Sequence, residues 1–125
     1  MDDFFIKRTV NTPEVELRPS EGFFKIEGRS IPEDAGEYYK IILRKLEEYF
    51  QNPQKVTRID IKLEYINSGS SKYMLEIFRI VKRNYDNGID CTVNWFYEED
   101  DESILELGQH YQHTIKIPFK MVDFY

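Results

Sequence analysis

The segment "VTRIDIKLEYI", residues 56–66, constrains the fold of this chain more than any other. Val56, Arg58, Asp60, Lys62 and Glu64 alternate with Thr57, Ile59, Ile61, Leu63 and Tyr65, the period of two that sends successive side chains to opposite faces of a strand. The parity weakens at both ends, so the segment reads as a strand with one buried face and one partly solvated face. Beyond the hydroxyl cluster "NSGSSK" the period changes. Met74, Ile77, Phe78, Val81 and Tyr85 recur at helical spacing as far as "DNG", Asp86 to Gly88, which reads as a C-cap.

The same exchange of periods organises the rest of the chain. Val15 and Leu17, then Phe23, Phe24 and Ile26, flank the turn Pro19-Ser20-Glu21-Gly22 and read as a hairpin. Pro32 and a group of acids open a first helix whose apolar face is Ala35, Tyr38, Tyr39, Ile42, Leu46, Tyr49 and Phe50, closed by Asn52-Pro53. "IDCTVNWFY" is strand-like, "EEDDESILELGQHYQH" supplies a short third helix through Ile104, Leu105 and Leu107, and "TIKIPFKMVDF" ends the pattern as a bent or edge strand containing Pro118. The order ββαβαβαβ predicts an α/β fold. Strands joined by crossover helices pair in parallel, so the expected architecture is a mixed sheet with an N-terminal hairpin and three packed helices, formed by residues 1–125 as one domain.

Composition narrows the function classes. In 125 residues that are 41% hydrophobic and 32% charged there is room for one core and not for two. No apolar run approaches the roughly 18 residues of a membrane helix, and the N-terminus has no leader pattern, so the expectation is a soluble cytoplasmic protein. A formal charge of −6 and a pI near 5.0 argue against nucleic acid as a partner, because phosphate neutralisation needs a basic face. The single cysteine, Cys91, falls inside a strand-like run and reads as a small core residue.

Crossover strands deliver their following loops to one edge of the sheet, where helix N-termini gather. The N-terminus of a helix carries unsatisfied N–H groups and partial positive charge, so acids usually fill its first turn. Glu33, Asp34 and Glu37 do this for the first helix, and Asp100, Asp101 and Glu102 for the third. The middle helix has Ser70, Ser71 and Lys72 there, and no acid before Glu76. Such an end suits an anion, either a bound phosphate group or a phosphate carried by a serine. The plainer reading is ordinary capping, with Ser68 or Ser70 accepting a backbone N–H. A nucleotide loop is not indicated, because Gly69 stands alone without the glycines and the Gly-Lys pair of G-x-x-x-x-G-K-[ST].

Five short pieces, "NTPEV", "GRSIPED", "KLEYINSGSSK", "VNWFYEEDDE" and "IPF", occur in an order and spacing that resemble the SiaC family of bacterial regulatory phosphoproteins, themselves similar to the STAS domains of anti-sigma-factor antagonists. The resemblance runs over nearly the whole chain. It implies a phosphoacceptor immediately after the asparagine of the strand-to-helix loop. That position is Ser68, where the family usually has threonine; Ser70 and Ser71 are the alternatives, with Asn67, Gly69 and Lys72 as the surroundings. It further implies partner switching: a serine/threonine kinase adds the phosphate, a metal-dependent phosphatase removes it, and one form binds an effector, a diguanylate cyclase in relatives.

The acidic run Glu98, Glu99, Asp100 and Asp101 follows a strand expected to lie parallel to the one before Ser68, which would place both loops on one edge. Together with Tyr65 and Tyr97 these acids are the candidate partner-binding residues, suited to a basic partner. Capping of the third helix explains the acids equally well. Glu106, His110 and His113 offer a carboxylate and imidazoles on one helix but no H-E-x-x-H pattern, and "NSGSSK" lacks the G-x-S-x-G turn of a serine hydrolase. No catalytic residue, metal ligand or cofactor is assigned. An unmodified interaction module and a small metal-dependent or ligand-binding enzyme are the competing classes.

Overall fold

The computed structural model describes residues 1–124. Six strands form one sheet whose spatial order equals the chain order: β1 (Phe4–Ile6), β2 (Glu14–Arg18), β3 (Phe23–Ser30), β4 (Val56–Ile66), β5 (Asp90–Glu98) and β6 (Phe119–Phe124). β1, β2 and β3 pair antiparallel, and β3 to β6 are parallel. Helices α1 (Ala35–Tyr49), α2 (Ser68–Asp86) and α3 (Glu102–Ile115) connect the parallel strands. The mixed sheet, hairpin and three helices are those expected from the sequence. Three boundaries differ: β1 adds a strand before the hairpin, α3 is 14 residues long rather than short, and Pro118 precedes β6 instead of lying within it.

Each connection steps one strand outward with the right-handed sense of such crossovers, so all three helices pack on one face of the sheet. The strand residues of that face, among them Leu17, Ile26, Ile59, Ile61, Val93 and Trp95, form a single buried cluster with Ile42 and Leu46 of α1 and Ile77, Phe78 and Val81 of α2. Burying side chains of this size contributes about 1.5–3 kcal/mol each. At the α3 end the core is aromatic. The ring of Phe78 meets those of Tyr111 and Phe119 edge-on at 5.1 and 5.5 Å, and Trp95 stacks on Phe119 at 6.1 Å. α3 reaches this cluster through Gly108, where any Cβ would overlap the Trp95 indole, and the indole N–H donates to Ile104 O at 2.9 Å. Cys91 lies in the same layer, fully buried, its thiol pushed up to about 11 by burial and, secondarily, by Asp90.

Among the described residues no helix covers the opposite face. Its residues form rows across the strands: Arg18–Phe23–Arg58–Thr92, then Glu16–Lys25–Asp60–Asn94–Lys120, then Glu14–Glu27–Lys62–Phe96–Val122. Between these rows Lys25 pairs with Glu14 at 3.0 Å and Arg58 with Asp60 at 3.6 Å, and Arg8, from outside them, pairs with both Glu14 and Glu27. Arg58 also covers the Phe23 ring at 4.5 Å, a cation–π contact. Parallel sheets are usually covered on both sides; here alternating charge keeps one side compatible with water.

The weakened parity at Tyr65 has a structural cause. Gly28 pairs with Leu63 but Arg29 pairs with Tyr65, so Glu64 is an extra residue in β4. Gly28 adopts φ 129°, a conformation that side chains rarely take. Such a bulge reverses which face the following residues meet. Tyr65 is thereby turned outward, 51% exposed, with the Arg29 guanidinium 5.8 Å from its ring.

Candidate functional site

β4 and β5 are neighbours and parallel, so the loops leaving them lie side by side at the C-terminal edge of the sheet. The β4–α2 connection is one residue long. The Asn67 N–H donates to Ser30 O at 3.0 Å, fastening the loop to β3, while the Asn67 side chain accepts from the Ser70 N–H at 2.8 Å. Asn67 is therefore the N-cap of α2, the role that the capping reading gave to Ser68 or Ser70. An asparagine cap leaves the serine hydroxyls free of that duty.

The three serines are sorted by helix phase. Ser68, the first helical residue, is exposed, as is Gly69. Ser70 is fully buried, and its hydroxyl makes no hydrogen bond among the described residues. It lies by the Tyr39 phenol, whose pKa is raised by burial; the Ser30 hydroxyl opposes that rise, its Oγ 2.6 Å from the phenol oxygen. Ser71 is partly buried, and its hydroxyl donates to Ser68 O at 3.0 Å. Of the three, only Ser68 presents to solvent a hydroxyl without a hydrogen bond among the described residues.

The electrostatics of the three helix starts differ as the residue types indicated. Asp34 caps α1, accepting from the Glu37 N–H at 3.1 Å, and Asp101 caps α3, accepting from the Ile104 N–H at 3.0 Å. Each has a further acid in the first turn, Glu37 and Glu102, whereas the first turn of α2 has none. Lys72, one turn along α2 from Ser68, is exposed and has no carboxylate partner among the described residues; its ammonium lies 5.5 Å from the Tyr73 ring centre.

Tyr65, Ile66, Ile104 and Leu107 line a groove of about 370 Å³ beside this helix start, with Glu64 and Asp101 on its rim. Glu98, Glu99 and Asp100 stand exposed next to it, none in an ion pair among the described residues. Tyr65 and the acidic run are thus on the expected edge. Tyr97 is half-buried rather than exposed, and Asp101 spends one carboxylate oxygen on its cap.

Tyr111 was not singled out from the sequence. Its hydroxyl donates to Ser71 O at 2.8 Å, tying α3 to the first turn of α2, and burial is the main cause of its raised pKa. No local signal marks it, because the contact spans 40 residues. His110 and His113 lie exposed on α3, and among the described residues no group of three or more His, Cys, Asp or Glu could hold a metal ion. Nor is any described helix long and apolar enough to cross a membrane.

Comparison with known proteins agrees with this architecture. A curated but uncharacterised protein of Pseudomonas aeruginosa is 25% identical over 119 residues, spanning 95% of this chain and 94% of its own length. A chain in the crystal structure of the P. aeruginosa diguanylate cyclase SiaD in complex with its activator SiaC superposes with a TM-score of 0.92, at 24% identity, covering 98% of this chain and all of its own. Apo-SiaC from the same organism gives 0.90 at 24% identity, covering 98% and 99%. These solved structures share the fold. The family described as SiaC family regulatory phosphoprotein matches residues 6–124, and the chain belongs to that family.

Proposed function

We propose that this chain is a non-enzymatic switch in which reversible phosphorylation of Ser68 controls docking of an effector at the C-terminal edge of the sheet. The observation that carries the reading is the free, exposed Ser68 hydroxyl at a helix start capped by Asn67 and empty of acids. A phosphate there adds about −1.5 to −2 charges where backbone N–H groups and Lys72 favour an anion. Burial of Ser70 and the engaged hydroxyl of Ser71 favour Ser68 over both as the acceptor. A serine/threonine kinase and a metal-dependent phosphatase are the corresponding enzymes.

The groove beside Ser68 has an apolar floor and an unneutralised acidic rim, which suits a basic, partly apolar protein surface. An effector that covers Ser68 would have to strip water from the phosphate dianion, so the two covalent states differ in affinity for it. The SiaC of P. aeruginosa is named as the activator of a diguanylate cyclase, and we extend that class of effector to this chain. Peptide mass spectrometry of the protein from its native cells, with and without metal-dependent phosphatase treatment, tests the proposal. A removable phosphate on Ser68 is expected; a chain unmodified under all growth conditions, or modified only elsewhere, would overturn the switch and leave a plain interaction module.

A further inference from the structure

The uncovered face of the sheet changes character at one corner. Over β2, β3 and the middle of β4 its charges neutralise one another. At the C-terminal ends of β5 and β6 the row becomes Phe96 beside Val122, then Glu98 beside Phe124. All three apolar side chains are partly buried, on the face opposite the helices.

A cavity of about 200 Å³ opens against Phe124 at this corner, and its charged lining consists of two cations, Arg8 and Lys62, and four carboxylates, Glu27, Glu64, Glu98 and Asp101. Arg8 is already committed to Glu14 and Glu27. Glu64 and Glu98 have no ion-pair partner among the described residues. The excess is negative, set in a concavity backed by the sheet, where low-dielectric walls concentrate the field. The Lys62 ammonium sits 4.4 Å from the centre of the Phe124 ring, so the ring face is a seat for a cation and holds an internal one.

We infer, resting on the docking reading above, that this corner extends the docking surface onto the open face of the sheet as a subsite that takes an arginine or lysine side chain flanked by apolar residues from the protein partner. The carboxylates Glu64 and Glu98 receive the charge, Phe124 the flat face of the cation, and the Phe96–Val122 strip the apolar neighbours. Lys62 competes for the same ring and weakens the site. The corner meets the rim of the groove beside Ser68 at Glu64 and Asp101 and needs no modification to act.

The test is a titration of the unmodified full chain with an acetylated hexapeptide of alternating leucine and arginine, followed by aromatic 1H–13C NMR and calorimetry. The control peptide carries citrulline, the uncharged isostere, in place of arginine. Saturable shifts of Phe96 and Phe124 are expected, and Glu64→Gln with Glu98→Gln should weaken binding about tenfold, the loss of close charge pairing at an interface. Lys62→Gln should tighten it about threefold by vacating the ring, a gain that a misfolded variant could not produce. Equal binding of the citrulline peptide, shifts confined to other surfaces, or no saturation at millimolar peptide would each overturn the inference. Because the titration uses unmodified protein, it is read separately from any result on Ser68.

Discussion

The two faces of this sheet are made by alternate residues of the same strands, yet they are stabilised by opposite means. On the helix side, Ile59 and Ile61 are sealed from water in a cluster of interlocked rings and aliphatic chains. On the other side, Arg58, Asp60 and Lys62 remain in contact with solvent and are held by ion pairs and ring faces. Burial is collective, since each buried group removes water from its neighbours. Exposed charge pairs are local, individually weak and sensitive to salt. Side chains one residue apart should therefore differ severalfold in what their loss costs.

Gly108→Ala should give an effect as large as any, because the new methyl is forced into the Trp95 indole; about 3 kcal/mol of stability is expected to be lost in urea denaturation, near the upper range for overpacking. Combining it with Trp95→Phe should recover part of that loss, a coupling that two independent defects would not show. The direct comparison of faces is Ile61→Ala against Lys62→Ala. Truncating the fully buried isoleucine should cost about 3 kcal/mol and the lysine about 0.5 kcal/mol; similar values would break the contrast.

The hydroxyls around Tyr39 sharpen it within the core. Ser30→Ala strands the buried Tyr39 phenol and should cost about 1.5 kcal/mol, whereas Ser70→Ala removes a hydroxyl without a hydrogen bond and should change stability by less than about 0.5 kcal/mol. The smallest effect belongs to the open face. Glu14 is held below the ordinary value of 4.5, first by its hydrogen bond from Lys25. Its folded pKa thus lies below the unfolded one, so the contribution is full above pH 4.5 and fades as the pH falls through the folded value. Lys25→Met should flatten that part of the stability profile between pH 6 and 3, and salt should diminish the difference in the parent chain.

What could be read in advance follows the distance over which each signal acts. The helices announced themselves through Ile42 and Leu46 or Ile77 and Val81, because a buried stripe is written within one element. The bulge at Glu64 appeared only as weakened parity, since its cause is pairing with Gly28 on another strand. β1 escaped because Phe4, Phe5 and Ile6 are too few to show a period. At the site, the absence of acids from the first turn of α2 was plain. The choice among serines was not: each step along a helix turns the side chain by about 100°, so placing the cap at Asn67 rather than Ser68 or Ser70 decides which hydroxyl is buried.

A strand order that repeats the chain order also bears on how the molecule is assembled. As synthesis proceeds from the N-terminus, each new strand from β2 to β6 finds the preceding one as its open edge, and no strand must insert between two already paired. Contacts then form between segments close in sequence, which limits the loop-closure entropy of every step. The sheet can grow outward in the order in which the ribosome delivers it, with the aromatic cluster around Trp95 completed last, when α3 and β6 arrive.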